Sequence, residues 1–107
     1  MPTKFRVEIT DSAENDIEEI WTFLTEDNPE AATRFVVQIE NRIDTLEHFP
    51  ERCQIASESG LLGTRYRQLL VGNDRVIFRA SVKTVFVLRV IHAARLLDIS
   101  LFEEAGP

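Results

Sequence analysis

From Arg65 to Arg95 the chain reads RYRQLLVGNDRVIFRASVKTVFVLRVIHAAR. Three short runs with a repeat of two follow one another there, at about 65–71, 75–80 and 85–91, separated by Gly72-Asn73 and by Ser81–Thr84. A repeat of two is the signature of a strand, and connections this short join neighbouring strands antiparallel. A locally built sheet is therefore fixed in the second half of the chain, and the remainder has to cover it. The same stretch is set apart chemically. It holds seven of the twelve Lys and Arg residues and one acid, Asp74. Residues 1–64 carry five basic and fourteen acidic residues, and residues 96–107 carry three acids and no base, for a net charge of −6 overall. An acidic chain that gathers its positive charge onto one sheet is expected to present that sheet to something negative.

The first half supplies the cover. Phe5, Val7 and Ile9 alternate with Lys4, Arg6 and Glu8, which predicts one more strand. Thr10 and Asp11 supply N-cap chemistry, and Asp11 with Glu14 has the spacing of a capping box. In the helix that follows, Ala13, Ile17, Ile20, Trp21 and Leu24 form an apolar stripe, so Trp21 is expected in the core. Its acids Glu14, Asp16, Glu18 and Glu19 read as a solvated face. Asn28-Pro29 ends this helix and starts a second. The second runs to about Glu47 on Ala32, Phe35, Val36, Ile39, Ile43 and Leu46, until Phe49-Pro50 stops it. Residues 50–64 lack periodicity and read as a loop with room for one helical turn; beyond Arg95, Leu96, Ile99 and Phe102 recur at helical spacing.

The order is β-α-α-β-β-β, an α+β two-layer domain spanning residues 1–107, with a helical hairpin packed on a small, mostly antiparallel sheet. A length of 107 residues suits one core without staples. Cys53 is the single cysteine, which excludes an intrachain disulfide and fits a reducing cytoplasm. The opening MPTKFRVEIT has no apolar stretch of the kind a signal peptide needs, and the apolar run Val85–Leu88 is far short of the ~20 residues of a membrane helix. Cys53 with His48 and His92 has no metal-ligand spacing. Gly60 and Gly63 lack the surroundings of a phosphate loop.

With strands free of bulges, Tyr66, Gln68, Leu70, Val76, Phe78, Ala80, Phe86, Leu88, Val90 and His92 would meet the helices. The opposite face would carry Arg65, Arg67, Leu69, Arg75, Ile77, Arg79, Val85, Val87, Arg89 and Ile91. Aliphatic side chains mixed with arginines on an uncovered face predict a recognition surface. Its candidate contacts are Arg67, Arg75, Ile77, Arg79, Val87, Arg89, Ile91 and Arg95.

Four blocks, in order, carry a family resemblance. They are V-x-I-T-x-x-A-x-x-D-I (Val7, Ile9, Thr10, Ala13, Asp16, Ile17), the FP after the second helix, YRQLL-x-G-N-x-RVIF, and V-x-V-L-x-V-I-H-A-A-R from Val85 to Arg95. Together with the β-α-α-β-β-β order, they resemble the RelE/ParE superfamily of toxins from bacterial type II toxin–antitoxin systems. The resemblance implies a small cytoplasmic toxin held in a hetero-oligomer with its cognate antitoxin, with no metal and no organic cofactor. The family commonly places an aromatic residue before the arginine of the central block; here Asp74 stands there.

The superfamily splits by chemistry. RelE-like members cut messenger RNA on the ribosome, whereas ParE-like members block DNA gyrase without established catalytic residues. Metal-free RNA cleavage needs a base, an acid and a cation on the developing phosphorane charge. Arg75 and Arg79 fit a phosphate clamp, His92 a proton shuttle, and Arg95 matches in position a C-terminal basic residue of the nucleases. Against this, a chain of pI about 4.9 approaches the polyanionic ribosome poorly. Residues 50–64 hold one arginine and two glutamates, and Ala93 follows His92 where one nuclease branch has tyrosine. The reading favoured is ParE-like inhibition of gyrase. The alternatives are a ribosome-dependent endonuclease and, because of Asp74, a non-toxic protein-binding module.

Overall fold

The computed structural model describes residues 4–57, 59–62 and 65–92. Strand β1 (Arg6–Ile9) leads into helix α1 (Asp11–Asp27), then α2 (Pro29–Asp44). Two 3-10 turns, Thr45–Glu47 and Pro50–Arg52, precede the short β2 (Gln54–Ile55) and the single turn α3 (Ser59–Leu62). The chain continues through β3 (Arg67–Val71), β4 (Asp74–Ala80) and β5 (Thr84–His92). The five strands form one sheet in the order β1-β5-β4-β3-β2. β1 lies parallel to β5, and every other pair is antiparallel. The α+β architecture with a helical hairpin on a mostly antiparallel sheet is the expected one. β2 was not expected, and Arg95 and the apolar spacing of Leu96, Ile99 and Phe102 fall outside the described residues.

Local chemistry explains the boundaries. Thr10 is the N-cap of α1, its hydroxyl accepting from the Ala13 N–H at 3.2 Å. The expected capping box is absent, since Asp11 is already the first helical residue. Asn28 closes α1 through its N–H to the Leu24 carbonyl at 2.7 Å and caps α2 through its side chain to the Ala31 N–H. Pro29 follows at the first helical position, where its missing N–H costs nothing. The hairpin therefore turns on a single residue. After α2 the chain reverses at Phe49, which adopts left-handed backbone (φ 48°). The Arg52 guanidinium holds that reversal, donating to the carbonyls of His48 at 2.6 Å and Phe49 at 3.1 Å. Between β3 and β4, φ is positive at Gly72 and not at Asn73, the arrangement of a two-residue hairpin whose first position needs glycine.

The core lies between the hairpin and one face of the sheet. Ala13, Phe35, Ile39, Ile43 and Leu46 meet Leu69, Val71, Val76, Phe78, Val85, Val87 and Val90, with Ile17, Ile20 and Leu24 packed alongside. The helical stripes are the predicted ones, except that Trp21 is 42% exposed and not in the core. It stands one position, or about 100°, beyond the Ile17–Ile20–Leu24 line.

The sheet parity differs from expectation. β4 faces the helices with Val76 and Phe78 as predicted, but β3 does so with Leu69 and Val71 instead of Gln68 and Leu70. β5 changes parity along its length. Phe78 pairs with Val87 while Ile77 pairs with Arg89, leaving Leu88 as the extra residue of a β-bulge. Val85 and Val87 thus join Val90 under the helices, and Phe86 is turned to the open face beside its partner Arg79.

Thr10 ties helix, strand and bulge together. Its hydroxyl donates to the Val87 carbonyl at 2.8 Å, with the Leu88 carbonyl 3.2 Å away. Thr10→Ala is expected to cost about 1–2 kcal/mol in urea unfolding, the range of a lost helix cap. Thr10→Ser, which keeps the hydroxyl, is expected to recover most of it.

Candidate interaction surface

The arginines of the sheet do not converge on one surface; the fold distributes them among four environments. Arg89 is buried and engages Asp16 of α1 through two bonds, Nε to Oδ2 at 2.7 Å and Nη2 to Oδ1 at 2.8 Å. Asp16 Oδ2 also accepts from the Val90 N–H at 2.9 Å. That amide needs a partner because β1 ends opposite Val87, so the outer edge of β5 is uncovered beyond it. One carboxylate therefore satisfies a buried guanidinium and an orphaned sheet amide together. Asp16 is not part of a solvated face, as the acid-rich helix implied.

Arg67 lies in register with Phe78, on the helix side of β3. Its Nη1 donates to the carbonyls of Glu51 at 3.0 Å and Cys53 at 2.8 Å, stapling the segment after the second 3-10 turn to the sheet. Burial pushes the Cys53 thiol up, opposed by Arg52, Arg67 and Arg42. Cys53 is thus kept as a thiol and is a poor nucleophile.

The open face holds the other two. Arg75 is 6% exposed, and its Nε donates to Gln68 Oε1 at 3.0 Å. Gln68 Nε2 in turn donates to Gln54 Oε1 at 3.0 Å, so a polar ladder crosses β4, β3 and β2. Arg79 is partly exposed, its guanidinium 4.6 Å from the centre of the Phe86 ring. A cation stacked on a ring is held flat and available, a contact worth about 0.5–1 kcal/mol at a partly exposed site. Leu70, opposite Arg75 in register, is half exposed.

The aliphatic part of the expected surface is largely absent. Val87 is wholly buried beneath the helices. Ile77 and Ile91 face away from the hairpin, between residues of the core, yet are themselves 0% and 3% exposed. His92 ends β5 in register with Asp74, and Arg95 lies outside the described residues. Among the described residues, this face still presents Arg79 with Phe86, Leu70, the edge of the Gln54–Gln68–Arg75 ladder and, on β1, the Arg6–Glu8 ion pair with Glu8 opposite Phe86. The residues that sequence reasoning missed are Asp16 and Phe86. Asp16 carried a signal, a carboxylate three residues after Ala13 and four before Ile20, on the apolar stripe itself.

This is a small α+β scaffold that exposes stacked and laddered polar groups, a surface suited to binding another macromolecule. The family model described as "ParE toxin of type II toxin-antitoxin system, parDE" matches residues 7–97, and the chain belongs to that family. In shape it is similar to a chain of the chromosomal ParDE TA system from P. aeruginosa, at 21% identity and a TM-score of 0.70, covering 83% of this chain and 96% of that one. It is also similar to a chain of the toxin–antitoxin complex RelBE2 from Mycobacterium tuberculosis, at 22% identity and a TM-score of 0.56, covering 87% and 95% respectively. No curated protein sequence matches the chain. The quoted opening motif is explained by the geometry: Val7 and Ile9 pack on the core, Thr10 caps α1, Ala13 lets the helix approach, and Asp16 closes the β5 edge.

Proposed function

We propose that the chain is a toxin neutralised by a cognate antitoxin and that it acts as a ParE-like inhibitor of DNA gyrase. The observation that carries the choice of target is the use to which the arginines are put. A nuclease needs cations and proton donors free to meet a scissile phosphate. Here Arg89 is committed to Asp16, Arg67 to backbone carbonyls and Arg75 to Gln68, with Arg89 and Arg75 buried. Such groups shape a surface better than they perform a reaction. The charge balance supports the same reading, since a net charge of −6 opposes approach to the ribosome.

The antitoxin's acidic segment meets Arg79 and the rim of Arg75, with its apolar side chains on Leu70 and Phe86. The two solved structures similar in shape are named for toxin–antitoxin systems, which supports a partner of this kind. Replacing both Arg75 and Arg79 by alanine is expected to weaken that complex by about 2 kcal/mol or more, measured by calorimetric titration. An unchanged affinity would place the partner elsewhere.

In a bacterium, inducing the chain alone is expected to arrest growth, and co-expressing the short acidic-tailed reading frame expected beside its gene should restore it. Messenger RNA from the arrested cells is expected to show no new ribosome-dependent ends. Normal growth with stable expression would sink the toxin reading, and fresh cuts within codons would replace gyrase with the ribosome.

A further inference from the structure

Beyond the Asp16–Val90 contact, α1 and the end of the sheet leave a space between them. It is a cleft of about 450 Å³, walled by Ile20, Phe23 and Leu24 on the helix, by Val90 and Ile91 on β5 and by the turn between β3 and β4, with Glu19 and Asp74 in its lining. Phe23 is 73% exposed. An aromatic ring left in water next to a partly apolar cleft marks a place where apolar surface is to be covered.

The charge around it narrows what covers it. α1 carries seven acidic residues and no basic one. Asp16 is spoken for by Arg89, but Glu19 is exposed at the cleft and Asp74 lines it too. The chain's own residues 96–107 contain Asp98, Glu103 and Glu104 and no base, and a second copy would bring the same acidic helix. Both would set like charges against each other, which is unfavourable across an interface. A segment bearing lysine or arginine meets no such penalty.

We propose that the α1–β5 cleft is a docking site for a basic, apolar-anchored segment of a partner protein. One aliphatic or aromatic side chain enters against Ile20, Phe23 and Leu24, and flanking Lys or Arg side chains meet Glu19 and the acidic lining around it. This site is separate from the open-face arginines and goes beyond the antitoxin and gyrase reading, on which it does not depend. The toxin then has two surfaces of opposite sign: a cationic one on the sheet and an anionic, apolar one along the first helix.

The test is a titration of the full ¹⁵N-labelled chain with two capped peptides sharing a Leu-Leu anchor, one flanked by lysines and the other by glutamates. The lysine peptide is expected to give saturable amide shifts at Ile20, Phe23, Leu24, Val90 and Ile91, with at least about tenfold weaker binding of the glutamate peptide. Salt should weaken the lysine peptide's binding. Phe23→Ala, whose ring is too exposed to hold the fold together, should abolish those shifts while leaving the rest of the spectrum in place, and Glu19→Lys should reverse the preference between the peptides. Equal binding of both peptides, shifts confined to another surface, or no binding overturns the proposal. So do two outcomes in the protein alone: cleft shifts that depend on concentration, which assign the cleft to a second copy, and proton contacts from the Phe23 ring to residues 93–107, which assign it to the chain itself.

Discussion

Replacing Asp16 by alanine is expected to destabilise the protein by about 3–5 kcal/mol, the cost of removing one partner from a buried ion pair. Against a total stability of roughly 5–15 kcal/mol for a domain, that removes between about a fifth and all of it. The cost has two sources. The Arg89 guanidinium stays buried with its bidentate acceptor gone, and the Val90 amide loses the acceptor that stands in for a neighbouring strand. Asp16→Asn is expected to recover only part of the loss, because a carboxamide lacks the charge that two guanidinium bonds and an amide share. The pair Asp16→Leu with Arg89→Met should be less damaging than Asp16→Ala alone, since no charge is then left buried without a partner. Urea unfolding of the four proteins checks this. An Asp16→Ala protein that loses under 1 kcal/mol would mean that the edge of β5 is held by something else.

The second large effect separates the two faces of the sheet. Val87→Asp places a carboxylate among Phe78, Val85 and the helix stripe with no partner, and is expected to abolish folding or lower stability by several kcal/mol. Leu70→Asp, on the opposite face and half exposed, is expected to change stability by less than about 1 kcal/mol. An alternation of β5 without the bulge makes the opposite forecast for Val87, because it turns that side chain outward. Thermal unfolding of the two variants therefore reads the register directly.

This contrast also shows what the chain declares of its own structure. α1 and α2 are legible because Ala13, Ile17, Ile20 and Leu24, and Ala32, Phe35, Ile39 and Ile43, repeat at 3–4 residues with polar residues between, which allows one buried face each. The neighbours β3-β4-β5 follow from turns at Gly72-Asn73 and Ser81–Thr84 that are too short for anything but hairpins, whereas the places of β1 and β2 do not. The faces of β5 are not legible. In Val85-Phe86-Val87-Leu88-Arg89-Val90-Ile91 both alternations are apolar, so hydrophobicity does not choose between them, and a bulge at Leu88 lets the strand use each in turn. In β3, Leu70 and Leu69 compete in the same way. In the sequence Asp16 reads as one of a run of helix acids and Arg89 as one arginine of an open face. Each explains the other only once α1 is known to lie along β5.

The recognition surface was misplaced for the same reason. An expectation of arginines mixed with exposed aliphatics assumed one parity for all three strands. The bulge and the register of β3 withdraw Val85, Val87 and Leu69 into the core, and Asp16 withdraws Arg89. Arg79 on Phe86, with the Arg75–Gln68–Gln54 ladder beside it and Arg6 on β1, makes up the cationic surface that remains on the open face among the described residues. A surface reduced in this way favours binding over catalysis, and that is the basis for preferring gyrase to the ribosome.

The most direct test incubates the purified chain with DNA gyrase, ATP and relaxed plasmid, and in parallel with a translating extract read by primer extension. The expected result is loss of negative supercoiling, reversed by the cognate antitoxin, with messenger RNA left intact. Full supercoiling activity together with ribosome-dependent cuts in the message would contradict it.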